Sequence, residues 1–267
     1  IIGPLTNPAA HGGTAADAFH LVCPSLPGFG YSDKPAAAGW GVSKIADRWD
    51  ALMRRLGYDA YFAQGGDWGS VITMEIGTQN KGACKGIHIT MPLVQPDPET
   101  MNDLTSCEQD ALAAFQHYQD WDSGYSKQQS TRPQTIGYGL CDSPVGQLAW
   151  IMEKFWAWTD CGGHPENAIA RDRLLDNVTL YWLTASAASS ARIYWESFTK
   201  VGFDPINIPS AISMFPKEIY LTSKRWAERR FTDLRYFNEL AKGGHFAAME
   251  QPETFVVEVR SAVRSMD

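Results

Sequence analysis

Short apolar runs rich in β-branched and aromatic residues, bounded by Gly or Pro, occur at residues 18–23 (AFHLVC), 60–64 (AYFAQ), 86–91 (GIHITM), 218–222 (EIYLT) and 234–240 (LRYFNEL). Their length and punctuation predict β-strands. Between the early runs, residues 42–56 carry Ile45, Trp49, Leu52, Met53 and Leu56 at helical spacing. That alternation predicts an α/β protein with a mostly parallel sheet. After Pro92 the pattern changes: from about residue 101 to 201 there are only helix-like stretches, at 109–120, 145–159 and 180–198. An all-helical insertion therefore interrupts the sheet-forming chain. Its borders carry Pro92, Pro96 and Pro98 on one side and Pro205 and Pro209 on the other. The chain divides into a first core part (1–97), a helical lid (98–204) and a second core part (205–267), with Pro252 placed to open a last helix running to about Arg264.

Composition narrows the function. The 267 residues are 44% hydrophobic, enough for a substantial core. The 23 Lys+Arg against 30 Asp+Glu leave a net charge of −7 without any long basic stretch, opposite in sign to what a phosphate backbone attracts, so nucleic acid is excluded as a partner class. No apolar stretch approaches the roughly 20 residues of a membrane helix. Five scattered cysteines (Cys23, Cys84, Cys107, Cys141, Cys161), never in a CxxC or Cys/His ligand spacing, predict reduced thiols, a cytoplasmic location and no structural metal. Oligomeric state is left open, with a homodimer among the candidates.

Candidate chemistry centres on Gln64-Gly65-Gly66-Asp67-Trp68-Gly69-Ser70, which follows a predicted strand and precedes a helix-compatible run. Glycines two before and two after a central residue permit the tight strand-to-helix turn that holds one side chain in a strained, exposed position. Asp67 fills it. A carboxylate there suits displacement at a saturated carbon, giving an alkyl ester that can then be hydrolysed, whereas a Ser would favour an acyl carbon. The Trp68 backbone N–H, at the helix start, would donate to the oxyanion of that second step. The same residues also read as a turn whose Asp67 merely caps a helix.

A base belongs near the C-terminus in a chain of this order, and Lys242-Gly243-Gly244-His245-Phe246 follows the last strand signal. His245 is the candidate, although a lone His after two Gly is also a common structural residue. His11, His20 and His88 lie in or before early strands, and His117 and His164 within the insertion. An acid bordering the preceding strand would hold one ring nitrogen so that the other activates water. Glu218 stands there, with Asp204 as the fallback; the plainer reading of Glu218 is a solvated strand-edge residue.

With Asp67, Glu218 and His245 in that order around a helical insertion, the chain resembles the epoxide hydrolases of the α/β-hydrolase fold, most closely their microsomal-type subgroup. The likeness runs along the whole chain and rests on four segments: residues 24–35 (PSLPGFGYSDKP), 65–69 (GGDWG), 142–155 (DSPVGQLAWIMEKF) and 243–248 (GGHFAA). It implies an α/β-hydrolase core with a helical lid, and two lid tyrosines above the nucleophile. By motif these fall on Tyr125 and Tyr194, with Tyr138 as the rival for the first. Two phenols can hydrogen-bond an epoxide oxygen and supply a proton as the ring opens. The resemblance implies a small, mainly apolar epoxide as substrate, a diol as product, and no metal or organic cofactor.

Two alternatives remain at this level. A haloalkane dehalogenase shares fold and Asp nucleophile and holds the departing halide with donors such as tryptophan indoles; the lid contains Trp150, Trp156, Trp158, Trp182 and Trp195. A non-catalytic relative or inactive fragment is the other. The family's second oxyanion donor comes from a His-Gly-x-Pro segment, and none stands upstream of Asp67. His11-Gly12-Gly13 is too close to Gly28 for the helix and strand that should intervene. With no initiating Met, this predicts that the first strands and that loop lie outside this chain, a loss of one donor that typically costs about 10² to 10³ in rate.

Overall fold

The computed structural model describes all residues, 1–267. Four parallel strands form one sheet in the order β1 (Tyr61–Gly65), β2 (Cys84–Ile89), β3 (Ser210–Met214) and β4 (Leu234–Glu239). Ala63 stands beside Ile87, His88 beside Ala211, and Ile212 beside Phe237. Alternate residues of a strand face opposite sides. Ile87, Ile89 and Ile212 pack with Ile72 and Met74 of helix α3 (Asp67–Gln79), against which α2 (Val42–Arg55) is laid. Ala211 instead meets Ala262 and Met266 of the C-terminal helix α12 (Pro252–Met266). The two central strands are therefore covered on both faces, and their near-continuous burial is the mark of a parallel sheet between helical layers.

Three of the five predicted strands are β1, β2 and β4. Residues 18–23 form no ladder: Phe19 N–H bonds to Leu5 O, and the stretch and β1 both line an apolar slot of about 750 Å³. Residues 218–222 are not a strand either. The strand lies upstream at Ser210–Met214 (SAISM), every residue of which is buried, a position without amphipathic alternation to announce it. The N-terminus folds as helix α1 (Ile2–Thr6) and two 3₁₀ turns (Pro8–His11, Ala15–Asp17), so no strand occurs within residues 1–17.

Between β2 and β3 run the helices α4 (Ser106–His117), α5 (Gly124–Thr131), α6 (Pro133–Asp142), α7 (Pro144–Trp158), α8 (Arg171–Leu183) and α9 (Ala187–Ser197). The single helix expected over 180–198 is two, broken at Ala185, whose φ of 47° is left-handed. The Thr184 hydroxyl donates to the Leu180 carbonyl there, the competition with the backbone that makes such residues unfavourable within helices. After β3 come the short α10 (Lys224–Arg230) and, beyond β4, α11 (Ala247–Glu250). No helix is long and apolar enough to cross a membrane.

Candidate active site

β1 ends at Gly65 and α3 starts at Asp67, so the chain reverses within two residues. A Cβ on Gly65 would lie 2.0 Å from the Gly69 carbonyl oxygen, which only glycine avoids. Asp67 itself adopts φ 49°, a conformation costly for a residue with a Cβ and found at sites whose surroundings impose it. The turn points the Asp67 carboxylate, 44% exposed, into a cavity of about 510 Å³. Its Oδ1 accepts the Trp68 backbone N–H at 2.5 Å, and Oδ2 lies 2.9 Å from His245 Nε2.

His245 sits on the loop after β4. Gly243, at φ 111°, turns the chain against Phe215, and the His245 N–H donates to Trp158 O at 2.9 Å, pinning the loop to the end of α7. Nδ1 of the ring is 2.7 Å from Glu218 Oε1, which also accepts the Ile219 N–H at 2.7 Å. Glu218 thus reaches the ring from the loop after β3, not from the start of a strand as the sequence suggested. The fallback acid, Asp204, lies elsewhere, its carbonyl accepting from Arg230.

Burial favours a neutral His245, but the Glu218 carboxylate and the hydrogen bond with Asp67 outweigh it and raise its pKa to about 10. Burial likewise opposes the Asp67 charge, and the bond to His245 overcomes it, holding Asp67 below the ordinary carboxylate range. The resting pair is imidazolium and carboxylate. Because the folded ring binds its proton more tightly than the unfolded one, its contribution to stability is complete below about pH 6.5 and is lost as pH rises through about 10. In Glu218→Gln the imidazole pKa, read by NMR, should fall toward 6.5 and the decline in denaturant midpoint over that window should flatten. An unchanged titration would refute the pairing.

The lid closes the cavity from the other side. Tyr194 on α9 packs edge to face on Trp68, ring centroids 5.0 Å apart, and on Tyr125 of α5 at 5.7 Å. Both tyrosines line the cavity with Asp67 and His245. Burial, reinforced by the neighbouring Asp67 carboxylate, keeps both phenols protonated, with pKa values raised well above 10. Tyr138, the rival, is 70% exposed. All six residues singled out in the sequence (Asp67, Trp68, Tyr125, Tyr194, Glu218 and His245) are brought together.

Residues not singled out for this role complete the walls. Trp158 lies 5.2 Å from both the Tyr125 and His245 rings. Trp150, Ile151, Lys154, Phe155 and Trp158 form one stripe of α7 at steps of three and four, a pattern readable as a buried helix face but not as cavity lining. Phe29 belongs to the 24–35 segment, which carried the family likeness but no sign of a cavity wall, and Tyr181 had no signal at all. No group of three or more His, Cys, Asp or Glu side chains is placed to hold a metal ion. A larger cleft of about 840 Å³, lined by Lys44, Asp47, Glu75 and Arg230, contains none of the six.

A strained residue between a parallel strand and a helix, facing a histidine on the last loop, is the arrangement of the α/β-hydrolase fold, and a family model described as that fold matches residues 12–134. The relatives specify the family further. The structure of the Aspergillus niger epoxide hydrolase is 32% identical with a TM-score of 0.88, covering 100% of this chain and 69% of that one. Epoxide hydrolase 1 of Sus scrofa is 32% identical over 97% of this chain and 63% of its own length. A Stigmatella aurantiaca protein provisionally named an epoxide hydrolase is 50% identical over 100% of this chain and 61% of its own length. The chain belongs to the epoxide hydrolase family of the α/β-hydrolase fold, and spans about three fifths of the length of those curated relatives.

Proposed function

We propose that the protein hydrolyses epoxides to vicinal diols through an ester on Asp67. The observation that carries this reading is the pair of half-buried, protonated phenols, Tyr125 and Tyr194, lining one cavity with the Asp67 carboxylate. Oδ2 attacks one ring carbon, its bond to the ring oxygen breaks, and that oxygen takes a proton from the tyrosine pair. The product is a hydroxyalkyl ester, and the tyrosinate, a strong base in this environment, regains its proton through water from the His245 imidazolium, which leaves that ring neutral.

Esterification removes the Asp67 charge, so His245 loses one of its two anionic partners and its pKa falls into the range of a general base. His245, oriented by Glu218, then takes a proton from water as that water attacks the ester carbonyl carbon. The Trp68 N–H, already on Oδ1, stabilises the oxyanion. Collapse breaks the bond between the acyl carbon and Oδ2, the departing alkoxide takes the proton from His245, and the new Asp67 carboxyl gives its own proton to His245, restoring the carboxylate and the imidazolium. One water oxygen stays on Asp67. Phe29, Trp150, Ile151 and Phe155 make the cavity mainly apolar and favour an apolar epoxide.

A dehalogenase reading fits less well. The Trp158 indole N–H is engaged by Asp122 at 3.3 Å, and Trp156, Trp182 and Trp195 are exposed. Tyr125→Phe and Tyr194→Phe should each lower kcat for diol formation, and the double variant by about 10²- to 10⁴-fold, the range of general-acid contributions. Chromatographic assay of the diol checks this. Halide release from a haloalkane that survives the double substitution, with no diol from any epoxide, would replace this reading by the dehalogenase.

A further inference from the structure

Lys154 stands on the stripe of α7 that lines the cavity, and its side chain is only 10% exposed. Its Nζ lies 4.8 Å from the centre of the Tyr125 ring and 5.3 Å from that of Trp158. The ammonium donates to Glu153 Oε1 at 2.7 Å and to the Asp122 carbonyl at 3.3 Å. Glu153 is 61% exposed, so water screens its charge, whereas the Tyr125 face of the ammonium lies inside the protein. A buried ammonium is costly to desolvate, and an aliphatic side chain would fill the same space at lower cost. Fold stability therefore gives little reason for a lysine here. No cation is placed over the Tyr194 ring, although the two phenols touch and share the cavity.

Resting on the epoxide-opening reading above, we infer that Lys154 is a positioning residue that divides the work of the tyrosine pair: its charge over the Tyr125 ring makes Tyr125 the proton donor and leaves Tyr194 to hold the ring oxygen. The physical reason is differential. As the proton leaves, negative charge spreads over the Tyr125 ring, and a cation facing it gains more from the tyrosinate than from the neutral phenol. Only an interaction stronger in the transition state than in the ground state raises the rate. Lys154 acts in ring opening alone, because ester hydrolysis uses His245 and Trp68.

The test reads ring opening directly, as the rate at which one equivalent of epoxide adds to Asp67 in a His245→Gln background, followed by intact mass. Lys154→Met should slow this step about 10- to 100-fold with substrate affinity little changed, and Lys154→Arg, which keeps the cation, should retain most of the rate. Lys154→Gln serves as a second neutral variant, with circular dichroism reporting whether each is folded. The decisive comparison is a double-mutant cycle. Lys154→Met should have its full effect beside Tyr194→Phe and almost none beside Tyr125→Phe. Equal effects in both backgrounds, or an unchanged rate in folded Lys154→Met, would overturn the assignment. Failure of His245→Gln with Lys154 intact to form any adduct, while wild type makes diol, would instead sink the ester mechanism.

Discussion

Asp67→Asn should abolish diol formation, lowering kcat by at least about 10⁴-fold, the scale on which removing a covalent nucleophile acts. A neutral amide is a poor nucleophile toward carbon, and nothing else in the cavity replaces it: the Glu218 carboxylate lies behind the His245 ring, 2.7 Å from Nδ1. The Asn side chain is nearly isosteric, and the φ of 49° at this position is better tolerated by Asn than by most residues, so the turn survives the change. Retained near-ultraviolet circular dichroism would show that the fold is intact. Diol production by folded Asp67→Asn at a rate near wild type would eliminate the ester route altogether.

His245→Gln should separate the two halves of the reaction. Ring opening needs Asp67 and the tyrosines and still proceeds, while hydrolysis loses its base and slows by about 10²- to 10⁴-fold. The ester then accumulates. Mass spectrometry should find the peptide containing Asp67 heavier by the full mass of the epoxide, because addition expels nothing, and epoxide consumption should stop after one equivalent. A label from oxygen-18 water should enter Asp67 of wild type during a single turnover and stay out of it in the variant. Undiminished steady turnover in His245→Gln, with no adduct, would remove His245 from the mechanism.

Asp67 and His245 were legible in the sequence because each is announced by a local backbone requirement. Asp67 needs glycines on both sides to turn from strand to helix, and His245 needs Gly243 and Gly244 to pass Phe215 and Trp158. Tyr125 and Tyr194 were reached only through resemblance, since an aromatic residue on a helix carries no mark of which cavity it lines. Glu218 was found while its element was misjudged: the short run of β-favouring residues at 218–222 read as a strand, and the true strand, β3, lacks alternation because helices bury both its faces. Residues 18–23 have strand composition without a neighbour to pair with, and pairing is a property of the sheet.

By itself, the sequence indicated an α/β chain interrupted by a helical insertion, three of the four strands, and the glycine-flanked turns that carry Asp67 and His245, all consequences of periodicity and glycine placement over a few residues. The tertiary structure decided what depends on distant segments meeting. It set the two carboxylates on either side of His245, which fixes its charge. It laid Tyr194 on Trp68, which brings the helical insertion over Asp67. It also placed the Lys154 ammonium over Tyr125 and not over Tyr194. Charge and proton transfer act through space over a few ångströms, and a linear sequence does not contain those distances.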